Sequence, residues 1–317
     1  MRDIKEVAEF LRGHDNYLIL THKSPDGDTL GSAAALCHIL RGIGKIAWLL
    51  KNDEVVPFYA SYVEGLWAAE DYAFDTVVSV DLAALGLFPK NAEHLRDRVE
   101  LAIDHHPTYE GFGKNSFVRT ECAACGEIIY ELAVELGQLT KKAALPLYVA
   151  VATDTGCFVY SNVTANTHRV AAALIDTGID FRAANKLHFR TKTKKRIALE
   201  SRLMSEMEFF DKGRIVIVQL PLSLQRELEL TENDTDDLAA LGGQVEGTDC
   251  SVTMKQREGG EWKLSVRTGA RVNAAAVCAR FGGGGHKAAS GCTIYGMTQQ
   301  EVKDAIVRAV MEEVGDA

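Results

Sequence analysis

The sequence predicts an α/β protein in two parts, a parallel-sheet domain followed by a smaller α+β domain. Three observations predict it. Short aliphatic or β-branched runs alternate with helical patterns through the first half, as buried parallel strands alternate with crossover helices. Several of those runs end directly in Asp or His, and ligands of parallel sheets bind beyond the carboxyl ends of the strands. From about Gly213 the alternation gives way to longer strand patterns and then helices.

Each element can be read in order. Residues 4–12 form a short amphipathic pattern, Tyr17–Thr21 a strand, and Asp28–Leu40 a helix rich in Ala and Leu. Ile46–Leu50 reads as a second strand, and the apolar runs at 77–80 and 101–103 as further buried strands. Helical patterns follow at 125–137, 143–153 and 166–177, and Arg182–Glu208 reads as a largely helical connector. Beyond it, Ile215–Leu220, Asp249–Gln256 and Glu261–Thr268 read as strands and Val272–Phe281 as a helix. Gly282-Gly283-Gly284-Gly285-His286 comes next, and Met297–Val314 closes the pattern as a final helix. The expected division is an α/β domain over 1–188, a helical linker over 189–211 and an α+β domain over 212–317.

Bulk composition narrows the function. The 317 residues, 47% hydrophobic and 25% charged, are globular in character and sufficient for two domains. No apolar run is long enough to span a bilayer, and Met1–Glu6 lacks the apolar core of a signal peptide, so a cytoplasmic protein with no membrane partner is expected. A net charge of −9 argues against bulk binding of long duplex nucleic acid, while leaving room for a short phosphorylated substrate held by a few placed cations. Seven scattered cysteines do not suggest a disulfide framework. Cys122-Ala-Ala-Cys125 reads as two small buried thiols beside a helix rather than as a zinc or redox pair. The basic run Arg190–Arg196 reads as a solvated linker face in preference to a phosphate contact.

The chemistry-bearing residues sit in four separated segments. His22-Lys23-Ser24-Pro25-Asp26-Gly27-Asp28 follows the first strand, Asp81 ends the run at 77–80, Asp104-His105-His106 follows Leu101-Ala102-Ile103, and Asp154 closes Val149–Thr153. Gathering Asp26, Asp28, Asp81 and Asp154 in one place sets like charges together and strips their hydration. Lys23 is the only basic residue within these motifs. Two divalent cations would balance four carboxylates, with His22 and His105 as neutral ligands, and such a mixed donor set suits manganese or another first-row ion better than structural zinc or magnesium. Asp81 is the natural bridging residue, and a water between two such cations would be the nucleophile for in-line attack on phosphorus. Asp104 would orient a histidine through its ring N–H, and His106 would face the substrate phosphate. Ordinary turns and caps account for any one segment: Pro25-Asp26-Gly27 makes a good turn, Asp28 a good helix cap, and Asp81 a cap for a helix starting at Leu82. They do not account for all four together.

These motifs resemble the DHH phosphoesterase superfamily. His22-x-x-Pro25-Asp26-x-Asp28, Asp81, Asp104-His105-His106 and Asp154 look like its four motifs in order. Phe281-Gly-Gly-Gly-Gly-His286-Lys-Ala-Ala-Ser-Gly291 resembles the glycine-rich signature of the DHH-associated domain, and Phe158–His168 is also similar to the family. One departure is Leu82, where relatives carry a small polar residue after the Asp. Length and layout resemble the stand-alone nanoRNase and pAp-phosphatase branch. The resemblance implies a Rossmann-like catalytic domain joined to a second domain, with the active site in the cleft between the two. It implies one cation on His22, Asp26 and Asp81, another on Asp28, Asp81, His105 and Asp154, and His106 on the scissile phosphate.

The C-terminal glycines suit close approach of backbone N–H groups to a phosphate, so Gly283, Gly284, Gly285 and His286 are candidate substrate contacts. Arg267 is the candidate for gripping a terminal phosphate, ahead of Arg271. The reaction that the resemblance implies is metal-dependent hydrolysis of dinucleotides, nanoRNA or 3′-phosphoadenosine 5′-phosphate (pAp), releasing nucleoside monophosphates. The alternatives are a cyclic dinucleotide phosphodiesterase, a manganese pyrophosphatase, a long single-strand exonuclease, or a sensor that has lost catalysis. A homodimer is the expectation from base rates of assembly.

Overall fold

The computed structural model describes residues 1–235 and 238–315. The chain divides into two compact units, Met1–Thr191 and Lys192–Ala317.

The first unit opens with α1 (Ile4–Gly13), capped by Asp3, whose side chain accepts from the amides of Lys5 and Glu6. Its apolar face, Val7, Ala8 and Leu11, is buried. Then come β1 (Tyr17–Leu20), α2 (Gly27–Gly42), β2 (Ala47–Leu49), the short α3 (Ala60–Val63), β3 (Thr76–Val80), β4 (Val99–Asp104) and β5 (Asn115–Val118). The helices α4 (Cys125–Glu135), α5 (Lys141–Asp154), α6 (Ala165–Asp176) and α7 (Phe181–Asn185) follow, and α7 runs into a π-helical turn, Lys186–Arg190.

The five strands form one parallel sheet in the order β2-β1-β3-β4-β5. Runs such as Tyr17–Leu20 and Thr76–Val80 are buried at every position, which is why they read as continuous apolar segments rather than alternating ones. The sequence reading missed β5, because Asn115-Ser116-Phe117-Val118 carries two polar residues and only Phe117 is buried. Helix α2 packs against α4 and α5. Gly31 makes its approach to α5 possible, since a Cβ there would overlap the carbonyl oxygen of Pro146.

The second unit begins with α8 (Lys194–Ser205), followed by β6 (Glu208–Phe210), β7 (Ile215–Leu220), α9 (Leu222–Glu227), β8 (Cys250–Gln256), β9 (Trp262–Thr268), α10 (Ala274–Ala279), β10 (Gly284–Gly285), β11 (Ala289–Ile294) and α11 (Gln299–Gly315). Six strands form a mixed sheet, β10-β11-β9-β8-β7-β6, in which only β7 and β8 run parallel. Val252, Leu264, Val266, Val277 and Ile306 belong to its core. No helix among the described residues is long and apolar enough to cross a membrane.

Candidate metal centre

The parallel topology explains how distant segments converge. All strands of the first sheet point the same way, so the residues following β1, β3 and β4 emerge at one edge. His22 to Asp28 follow β1, Asp81 follows β3, Asp104 ends β4, and Asp154 is the last residue of α5. Three overlapping groups of ligating atoms result, each within 4.8 Å: His22, Asp26 and Asp81; Asp28, His105 and Asp154; and Asp81, His105 and His106.

Two of the ordinary turn-and-cap explanations fail. Asp28 is not the cap of α2; Asp26 is, its Oδ1 accepting from the amides of Asp28 and Thr29 at 3.0 and 3.1 Å. Asp28 sits inside the first turn instead, where its side chain turns inward and is 1% exposed. Asp81 caps no helix. Its backbone adopts φ +53°, a left-handed conformation that costs a non-glycine residue about 1–2 kcal/mol. The neighbouring β4 holds it there through Asp81 N–H to Ile103 O at 2.9 Å.

The ring geometry of the histidines points to a cation. His22 donates Nδ1–H to the carbonyl of Lys23 at 2.7 Å, and His105 donates Nδ1–H to the carbonyl of Cys122 at 3.2 Å. With Nδ1 so engaged, the Nε2 lone pair of each ring faces carboxylates. His22 Nε2 lies 3.7 Å from Asp26 and 3.9 Å from Asp81. His105 Nε2 lies 3.7 Å from Asp28, 3.4 Å from Asp81 and 3.6 Å from Asp154. These gaps exceed hydrogen-bond lengths. Asp81 Oδ1 is buried without a hydrogen bond, an arrangement that is costly unless a cation satisfies it.

The electrostatics agree. Burial opposes charge on His22 and His105, yet the facing carboxylates raise them to about 9 and about 10. Burial, with Asp81 and Asp154 beside it, pushes Asp28 well above the usual carboxylate range, and burial raises Asp154 to about 7. Left to its own side chains, the cluster draws in protons, which is the response of a site built for positive charge. Donor set, ring orientation and orphaned carboxylate oxygen therefore fit divalent cations.

His106 is arranged differently. Its Nδ1–H donates to Asp104 Oδ1 at 2.9 Å, and its amide donates to the same oxygen at 2.7 Å. Asp104 is fully buried. The ring is thereby fixed with Nε2 directed away from its own strand's carboxylate.

Several supporting residues carry no sequence signal. Asp28 is held by three donors: the amides of Cys125 at 2.6 Å and Gly126 at 2.9 Å, and Ser32 Oγ at 3.0 Å. The Cys122–Cys125 pair thus contributes backbone groups. Its thiols are buried, with Cys122 pushed up to about 12 by that burial. Asn52 donates to Thr21 Oγ1 and the His22 carbonyl, and Glu54 accepts from the amide and hydroxyl of Ser24, pinning the first motif from outside. Asn162 Nδ2 bridges the carbonyls of Ala123 and Asp154. Leu82, after Asp81, is buried in a second apolar cluster with Phe88 and Leu95.

In the second unit, Arg267 lies on β9, half-buried, with one guanidinium nitrogen 3.2 Å from the carbonyl of Val266. His286 is exposed. The glycine run serves strand packing more than open amides. The N–H groups of Gly282, Gly283 and His286 donate to Ala279, Cys278 and Ala289, and Gly284 and Gly285 pair with β11. A Cβ on Gly283 would overlap the carbonyl of Gly291, Gly285 holds φ +144°, and Gly284 faces open space. Arg271 lies 3.5 Å from Asp249.

A parallel sheet that gathers imidazole and carboxylate groups beyond one edge is the kind of site on which metal-dependent hydrolases are built. Residues 16–152 match the N-terminal domain of the DHH family, and residues 215–316 match the DHHA1 domain. A Thermus thermophilus protein described as a bifunctional oligoribonuclease and PAP phosphatase is 31% identical, over 99% of this chain and 94% of its own. A Streptococcus mutans protein described as a probable enzyme of the same kind is 25% identical, over 95% of this chain and 96% of its own. The crystal structure of an exopolyphosphatase-related protein from Bacteroides fragilis shares the fold, with a TM-score of 0.86 at 22% identity, covering 98% of this chain and 96% of that one. The chain belongs to the DHH family of phosphoesterases.

Proposed function

We propose that this chain hydrolyses phosphoester bonds in very short oligonucleotides and in pAp, releasing nucleoside monophosphates. The observation that carries the reading is the pair of Nε2 atoms, on His22 and His105, facing four carboxylates across gaps too long for hydrogen bonds. End-to-end similarity to a relative described as acting on oligoribonucleotides and PAP supports the substrate class.

His22, Asp26 and Asp81 would hold one divalent cation and Asp28, Asp81, His105 and Asp154 a second, with manganese favoured by the mixed donors. Bound there, such ions supply Lewis acidity toward phosphate oxygens and acidify water. The chain's own contribution is preorganisation. Asp28 is fixed by three donors, and Asp81 is held in its left-handed conformation by the amide hydrogen bond to Ile103. His106, anchored through Nδ1 on Asp104, presents Nε2 to a phosphate oxygen, where an N–H can neutralise developing charge. Arg267, Gly283, Gly284, Gly285 and His286 are the proposed substrate contacts of the second unit, with Gly284 as the position open to a ligand.

The test is a turnover panel with Mn²⁺: pAp, linear pApA and pGpG, a cyclic dinucleotide, RNA of five and of 24 nucleotides, and pyrophosphate. Fast release of monophosphates from pAp or the dinucleotides, fading with length, is expected. Preference for pyrophosphate or the longest RNA would overturn the substrate class, and no metal-dependent cleavage of any member would overturn the activity.

A further inference from the structure

The basic run Arg190–Arg196 divides sharply once its partners are known. Lys192 and Arg196 both bind Glu200, and Lys195 reaches the Glu229 carbonyl at 2.8 Å. Arg190, in the first unit, is exposed and has no hydrogen bond or ion pair among the described residues.

Its backbone is held with unusual care for a solvated side chain. Arg190 ends the π-helical turn Lys186–Arg190. The extra residue of a π-turn redirects the side chains that follow it, and such turns recur at functional sites. The turn is tied to both flanks of the metal cluster. On one side His188 Nε2 and the Tyr62 hydroxyl share a hydrogen bond of 2.8 Å, and the ring packs against Phe58 and Tyr59. That segment follows Asn52 and Glu54, which pin the His22 loop.

On the other side Asn185 donates to the Tyr148 hydroxyl at 3.0 Å, and the Tyr148 ring meets Phe158 at 6.2 Å. Tyr148 lies on α5, which ends in Asp154, and Phe158 lies in the loop just beyond. Gly156, Cys157 and Phe158 are all left-handed there, a tight reversal that folds this loop back. Burial pushes the Cys157 thiol up, and the Arg190 guanidinium pulls it back.

Arg190 thus stands exposed, without an ion pair among the described residues, on a turn anchored to α5, the helix that ends in Asp154, where its guanidinium is free to meet an anionic ligand. We infer that Arg190 is a substrate-binding residue that grips the phosphate the substrate keeps, as distinct from the one at the scissile bond. This deepens the proposed hydrolase reading and rests on it for the identity of the ligand. The planar, always-charged guanidinium suits bidentate recognition of a phosphate.

The experiment is equilibrium binding of AMP and of adenosine to the full chain loaded with Mn²⁺, alongside pAp turnover. Arg190→Gln should weaken AMP binding by about tenfold or more, the scale of a charge-assisted contact, and leave adenosine binding unchanged. Arg190→Lys should recover part of the loss. Lys194→Gln, which removes an equal charge from the same run, should change neither. In turnover, Arg190→Gln should raise KM for pAp with kcat within about twofold.

Unchanged AMP binding in Arg190→Gln overturns the inference. So does an equal loss in Lys194→Gln, which would mean a general field, or absence of AMP binding to the unaltered chain. Arg190-dependent AMP binding without hydrolysis of pAp or dinucleotides would uphold Arg190 and end the hydrolase reading.

Discussion

Asp28 caps a helix that is not its own: its carboxylate takes the backbone amide of Cys125 at 2.6 Å, and that of Gly126 at 2.9 Å, at the N-terminus of α4. The residue before that helix, Ala124, offers no capping side chain. One carboxylate therefore serves both the candidate metal cluster and the docking of α4 on α2.

Asp28→Ala should accordingly destabilise the chain even without metal. Two buried amides and the Ser32 hydroxyl would lose their acceptor, at a cost of about 2–4 kcal/mol. Asp28→Asn, which keeps one acceptor oxygen, should lose less. Urea unfolding in EDTA measures this, and an Asp28→Ala midpoint equal to that of the unaltered chain would refute the capping role.

Asp81→Asn should lower both activity and metal-free stability. Turnover should fall by at least about a thousandfold, because both proposed cation sites share this residue. In EDTA the variant should melt at a lower temperature, since Asp81 is the carboxylate that raises both His22 and His105 and its loss leaves those buried imidazoles without their shared counter-charge. A higher melting temperature in EDTA would show that repulsion among the carboxylates dominates the metal-free cluster.

Metal loading should raise the melting temperature of the unaltered chain. A ligand at a hundred times its dissociation constant stabilises the folded state by about 2.7 kcal/mol. Adding Mn²⁺ to EDTA-stripped protein should show the rise, and Asp81→Asn should blunt it. An identical rise in both would place the ions elsewhere.

The glycine run should respond position by position. Gly284→Ala meets open space and should leave folding intact, whereas Gly283→Ala and Gly285→Ala collide with β11 or demand a backbone that alanine resists. Thermal melts of the three variants distinguish them. Equal tolerance of all three would contradict the packing role.

His188 should make stability pH-dependent. Burial among Phe58, Tyr59 and Tyr62 lowers it from 6.5 to about 4. The unfolded chain therefore takes up this proton first. The stability associated with neutral His188 is complete above pH 6.5, declines as pH falls toward 4, and is lost below that. Urea midpoints between pH 7 and 4 should fall more steeply for the unaltered chain than for His188→Phe. Parallel slopes would assign the acid sensitivity elsewhere.

The sequence by itself determined the scaffold and the cluster. The strands β1, β3 and β4 were legible because burial on both faces demands unbroken aliphatic runs, and the candidate ligands because carboxylates and imidazoles directly after such runs must emerge at one edge of a parallel sheet. Similarity placed the second domain through its glycine signature. What escaped depends on backbone groups and on partners far along the chain. Capping of α4 by Asp28 spans nearly a hundred residues and uses amides, which every residue possesses. The polar strand β5 exists because β4 offers it an edge, not because of its own pattern. The pairing of Lys192 and Arg196 with Glu200, and the isolation of Arg190, follow from where helices and turns place side chains in space. Residue types state which chemistry is affordable; only tertiary structure decides which groups are already satisfied and which remain to meet a ligand.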